Sequence, residues 1–170
     1  MASGVQHERA STRLILFLQP LLLLSLIGLA IAWGLEYLPL FHSLLLAIGL
    51  VGFLFGLYVG RRVTPDLDID EVITRQTRRY LNRHRILGWL WRIYWLPYAL
   101  YHPHRGISHV PLIGTLGRWV YLFFLPIVIT YWLTWMSGPQ PWILLMATLF
   151  WMAEFAGQSM QDLLHIWMDR

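Results

Sequence analysis

The chain has 170 residues, 57% of them hydrophobic and only 13% charged, about half the charged fraction of a water-soluble domain, so a soluble fold is excluded and a single integral membrane domain is indicated. The basic residues are 13 arginines with no lysine, and against 9 acids they leave a formal charge of +4, which suits an anionic lipid surface; no basic helix or loop lies outside the juxtamembrane zone, so nucleic acid is not an expected partner. Cysteine is absent, which excludes disulfides and thiolate sites and leaves His, Asp and Glu as the only metal ligands.

Residues 1–13 are polar, and the apolar run 14–33 that follows is close to the roughly 20 residues a bilayer needs. It is too long for a cleaved signal peptide and lacks a small-residue exit. Pro20 falls near the start of this span, where it is tolerated. A connector with Glu36 and Pro39 leads to a second predicted span, 43–60. There Gly49, Gly52, Gly56 and Gly60 recur every three or four residues, a spacing that forms one small face for a close helix partner, although ordinary membrane glycines would look the same.

Residues 61–111 form the polar centre of the chain. Arg61 and Arg62 open it, Pro65-Asp66-Leu67-Asp68-Ile69-Asp70-Glu71 follows, and then come Arg75, Arg78, Arg79, Arg83 and Arg85. From Ile86 to Tyr101 the composition turns to Trp, Tyr and Leu, the pattern of a segment lying in the headgroup layer. His102-Pro103-His104-Arg105-Gly106-Ile107-Ser108-His109 comes next, and Pro103 and Gly106 argue for a loop. A third span is predicted over 112–136, with Arg118 expected to snorkel near its start, and a fourth over 141–164. The fold class is therefore all-α: a polytopic membrane protein with four transmembrane helices and an interfacial segment between helices 2 and 3.

Arginine distribution orients these spans. Arg9 and Arg13 precede the first, ten arginines lie from Arg61 to Arg118, Arg170 ends the chain, and the connectors 34–42 and 137–141 have none. The positive-inside rule then predicts that both termini and the 61–111 loop are cytoplasmic, as in a bacterial inner membrane. This topology places His7, Asp66, Asp68, Asp70, His102, His104, His109, His165 and Asp169 on one side of the membrane.

Within the fourth helix Glu154, Gln158, Gln161, His165 and Asp169 form a narrow polar stripe, with Asp162 just off its edge. A lipid-facing helix would not carry it, so the stripe should face a polar interior. His165 and Asp169, at i and i+4, can present an imidazole and a carboxylate to one ion. In an extended segment Asp66 and Asp68 point the same way, as a hard or borderline cation requires; a solvated acidic loop that caps the next helix explains the same acids. His84, among arginines, reads as surface.

These elements resemble a known family. Ser3-Gly4 with His7-Glu8-Arg9, Pro65-Asp66-Leu67-Asp68, Trp95-Leu96-Pro97-Tyr98, His104-Arg105-Gly106-Ile107-Ser108-His109 with Gly114-Thr115 and Arg118, and a terminal His165-x-x-x-Asp169 occur in this order. Together they are similar to the small bacterial membrane metal-binding proteins of domain of unknown function 2227. More distantly they are similar to the LexA-regulated inner-membrane metal-dependent hydrolases, which in turn resemble the zinc-dependent phospholipase C and P1-nuclease group. The resemblance implies a divalent metal, zinc or manganese, held by His7, Asp66, His104, His109, His165 and Asp169, with Asp68 as ligand or support.

Two functions follow as expectations. One is a metal-dependent hydrolase in which the ions activate water, Arg105, Arg61 and Arg62 hold a phosphate, and Glu154, Asp162 or Asp70 serves as general acid or base. Its substrate would be a phosphate ester of a lipid, reached from the cytoplasmic leaflet. The other is a non-catalytic metal-binding protein whose ion pins the helix ends. A vanadium-haloperoxidase type of acid phosphatase is disfavoured, because its lysine-arginine motif is missing. Membrane lipids are the expected partners, and no oligomeric state is predicted.

Overall fold

The computed structural model describes residues 4–63, 83–101, 110, 112–138 and 140–168, with side chains described from Gln6 onward and not at Arg92, Ala99, Leu100 or Tyr101. Among these residues the regular structure is all helix: α1 Gly4–Gly34, α2 Leu40–Gly60, α3 Arg85–Tyr101, α4 Ile113–Met136 and α5 Pro141–Met168. Four of them, α1, α2, α4 and α5, are long and apolar enough to cross a membrane. That is the architecture the hydropathy predicts, since in lipid a single chain segment satisfies its backbone only as a helix.

The first helix starts ten residues before the apolar run, so its polar first turns extend the span beyond the hydrocarbon. Pro20 consequently lies at mid-helix rather than near the start.

The α2 and α5 helices form the centre. The glycine face of α2 lies directly on α5, in register: Gly49 meets Leu149, Gly52 meets Phe150, Gly56 meets Glu154, and Gly60 meets Gln158 and Gln161. Numbers rise together on both helices, so the pair runs parallel. A Cβ added at Gly56 would lie 1.9 Å from the Glu154 carbonyl oxygen, and one added at Gly157 would lie 2.3 Å from that of Phe53. The two backbones therefore approach as closely as small residues permit.

The α4 helix runs antiparallel along α5. Phe123 packs on Trp151, and the Tyr131 and Thr148 hydroxyls are 2.7 Å apart. The amphipathic α3 turns Trp91, Trp95 and Tyr98 inward onto Val59, Val63, Tyr121 and Leu122, while Ile86, Trp89 and Leu96 stay exposed. Its Tyr94 hydroxyl donates to the Tyr121 carbonyl at 2.6 Å.

The contacts of α1 lie toward its N-terminal end. His7, Ser11 and Ile15 are buried, and no described residue of α1 beyond Ile15 is. Glu8 reaches Arg61 at 3.5 Å and Gln19 accepts from Tyr58 at 3.0 Å.

Candidate functional site

Polar side chains converge where the start of α1, the ends of α2 and α5 and the start of α4 meet. His7 on α1 and His165 on α5 stack face to face, with ring centroids 3.9 Å apart and planes 23° from parallel. Both are buried. Helical phase explains the contact: His7, Ser11 and Ile15 recur every four residues on one face of α1, and the polar stripe of α5 ends in His165.

The stripe itself is buried: Glu154, Gln158, Gln161, Asp162 and His165 all turn away from lipid, as the 3.6-residue pattern predicts. Asp162, at its edge, has a role that spacing alone does not reveal. Its Oδ2 accepts from the Thr115 hydroxyl at 2.5 Å and from the Arg118 guanidinium of α4. The expectation that Arg118 snorkels to the headgroups is thus corrected: its side chain is 1% exposed and points inward. An arginine inside a span needs a carboxylate or a wet cavity, and Asp162 is the carboxylate. The sequence marks Arg118 as the one arginine within a predicted span but does not distinguish snorkelling from pairing.

Further along α5, Glu154 accepts from the Trp119 indole N–H of α4 and, at 2.6 Å, from the Gln158 amide. Eleven residues of helix place Glu154 about 16 Å from His165 along the axis, so the two cannot touch one reacting atom. In this position Glu154 joins α4 to α5.

Of the residues the sequence nominates as ligands, His7 and His165 are the two that are described, and they are in contact. Asp66, Asp68, His104, His109 and Asp169, together with Arg105, lie outside the described residues. Among the described residues no three of His, Asp and Glu converge closely enough to hold a metal. The two imidazoles are buried and come from different helices, and each supplies a nitrogen donor of the kind a divalent ion takes. Because the lone pairs lie in the ring planes, rings stacked face to face present them side by side, and one ion shared by both requires a ring to turn out of the stack. Gln161 and Asp162, one turn before His165, carry oxygen atoms that have no hydrogen-bond partner among the described residues, Gln161 Oε1 and Asp162 Oδ1; the Arg118 guanidinium on Asp162 sets them apart from the ligand candidates.

A family model described as "Uncharacterized metal-binding protein (DUF2227)" matches residues 2–169. An uncharacterized protein of Aquifex aeolicus (strain VF5) is 32% identical over 72 residues, which is 42% of this chain and 42% of that protein. The chain thus spans less than half the length of that curated relative. No solved structure matches.

Proposed function

The chain belongs to the DUF2227 family of uncharacterized metal-binding proteins, and from that premise we propose that it is a membrane-bound metal-dependent hydrolase acting on a phosphate ester of a lipid. The observation that carries this reading is the buried face-to-face contact of His7 and His165. It joins the two ends of the described chain at the end of the bundle where the arginine-rich segment also begins. His7 and His165 would hold the ion together with Asp66, Asp68, His104, His109 and Asp169. Seven ligand candidates exceed the four of a closed structural zinc site and leave coordination positions for water. Zinc fits the imidazole-carboxylate set, and manganese fits its oxygen-rich part. When bound, the ion supplies Lewis acidity and a water of lowered pKa.

The protein's own contribution is to bind and to exclude. Arg61, half-buried beside Glu8, and Arg62 and Arg105 supply guanidinium groups that pair bidentately with phosphate. The surrounding helices exclude bulk water. We place the site at the cytoplasmic face of a bacterial inner membrane, with both termini cytoplasmic, because the arginine distribution favours it. Substrate then enters from the leaflet at headgroup depth.

A structural ion is the second reading, and one observation favours it. No described residue of α1 beyond Ile15 is buried, so an ion shared by His7 and His165 would hold α1 onto the bundle. The deciding experiment is metal analysis of detergent-purified protein, followed by a hydrolysis panel of phospholipids and prenyl phosphates with wild type, His104→Ala and Asp66→Ala. Turnover by zinc- or manganese-loaded wild type, lost in both variants, supports the hydrolase. Metal without turnover, with variants that lose only thermal stability, replaces it with the structural reading.

A further inference from the structure

Gln158, Gln161 and Asp162 are 1%, 2% and 2% exposed, and they occupy one face of α5 at i, i+3 and i+4. Each has a polar atom without a hydrogen-bond partner among the described residues: Gln158 Oε1, both amide atoms of Gln161, and Asp162 Oδ1. Two of these are acceptors by assignment. The Gln158 nitrogen is committed to Glu154, which fixes its oxygen as the outward atom, and Asp162 Oδ2 is committed to Thr115 and Arg118, which leaves Oδ1. The α2 position that faces them is Gly60, which has no side chain to offer and whose added Cβ would lie 2.9 Å from the Gln161 Cβ and 3.0 Å from the Gln158 Cα.

Buried acceptors of this kind are met by protein donors, by an ion or by water. A second cation is disfavoured by charge: the Asp162 carboxylate is already neutralised by the Arg118 guanidinium, so an added ion would face a cation at close range. A lipid headgroup is too large for side chains this buried. Water supplies donors, needs two to four polar partners and carries no charge.

We propose that Gln158, Gln161 and Asp162 bind internal water one helical turn from His165, and that Gln161 is a positioning residue which orients this water toward the histidine pair. The second half rests on the metal-dependent hydrolase reading. Gln161 is the residue suited to it, since it lies at i−4 from His165, about 6 Å along the axis, and its amide can donate to water with one atom and accept with the other.

The test uses the full chain in detergent. Oxygen-17 magnetic relaxation dispersion counts long-lived internal waters whether or not metal is bound. Gln161→Met, unbranched and of the same length, is expected to fold with an unchanged melting temperature and to lose at least one such water. If the variant fails to fold, wild type alone decides: no long-lived water there overturns the proposal, as does an equal count in wild type and a folded variant. Positioning is read separately on protein loaded with Mn2+. Gln161→Met should keep the metal stoichiometry while turnover falls about 10-fold and the residence time of water on the ion shortens; Gln161→Glu, which retains an oxygen there, should restore the residence time. Unchanged residence time overturns the positioning role. Wild type that takes up no metal overturns the hydrolase reading instead, and the relaxation count still decides the hydration.

Discussion

Arg118 on α4 and Asp162 on α5 form an ion pair whose side chains are 1% and 3% exposed, in helices otherwise built to meet lipid. Thr115 donates to the same carboxylate oxygen, so the start of α4 is tied to the end of α5 by two polar contacts. Removing one partner leaves a buried charge, which costs about 3–5 kcal/mol. Arg118→Met alone should therefore lower stability by that amount. The double variant Arg118→Met with Asp162→Leu should recover most of it, because replacing both members of a buried pair by apolar groups is close to neutral. Reversible unfolding in mixed micelles checks both, and a double variant no better than the single one would refute the pairing.

Gly56 offers a test of the α2–α5 seam. A methyl group there meets the Glu154 backbone oxygen at 1.9 Å, and backbone cannot rotate aside. Gly56→Ala should destabilise by at least the roughly 1–3 kcal/mol typical of overpacking. A methyl group added at Gly28 on α1 would have nothing within 4 Å, so Gly28→Ala should be neutral or should stabilise by about 0.5–1 kcal/mol. Thermal melts of the two variants side by side distinguish them; equal losses would mean that the close approach is absent in solution.

The His7–His165 stack predicts non-additive loss of metal. If both rings serve one ion, His7→Ala and His165→Ala should each lower bound zinc, and the double variant should bind no less than the weaker single one, within error. Metal analysis after gel filtration gives the answer. Full occupancy in His7→Ala would remove the N-terminal helix from the site.

Orientation is tested by reporter fusions. A periplasm-active reporter fused after Arg170 should be inactive, and the same reporter placed in the 137–141 connector should be active, as the arginine asymmetry requires. The reverse pattern would move the whole polar end to the other side of the membrane.

The helices of this protein were determined by local sequence. A bilayer leaves helix as the only way for a lone segment to satisfy its backbone, so hydropathy was enough to place all four spans. Periodicity on a helix is equally local, which is why the buried stripe from Glu154 to His165 could be read from spacing. The glycine face of α2 was legible as a face, but its partner was not, because spacing on one helix carries no information about which neighbour covers it. The same limit hid the Arg118–Asp162 pair. A charged residue near the end of a span can satisfy itself by snorkelling or by pairing, the two look alike in sequence, and only the packing of α4 on α5 decided between them. For Glu154 the two sources divide: its roughly 16 Å of helix from His165 follow from spacing alone, whereas its commitment to Trp119 came from the packing of α4 on α5. The contact of His7 with His165 needs α1 laid against α5, a long-range arrangement that no local rule contains.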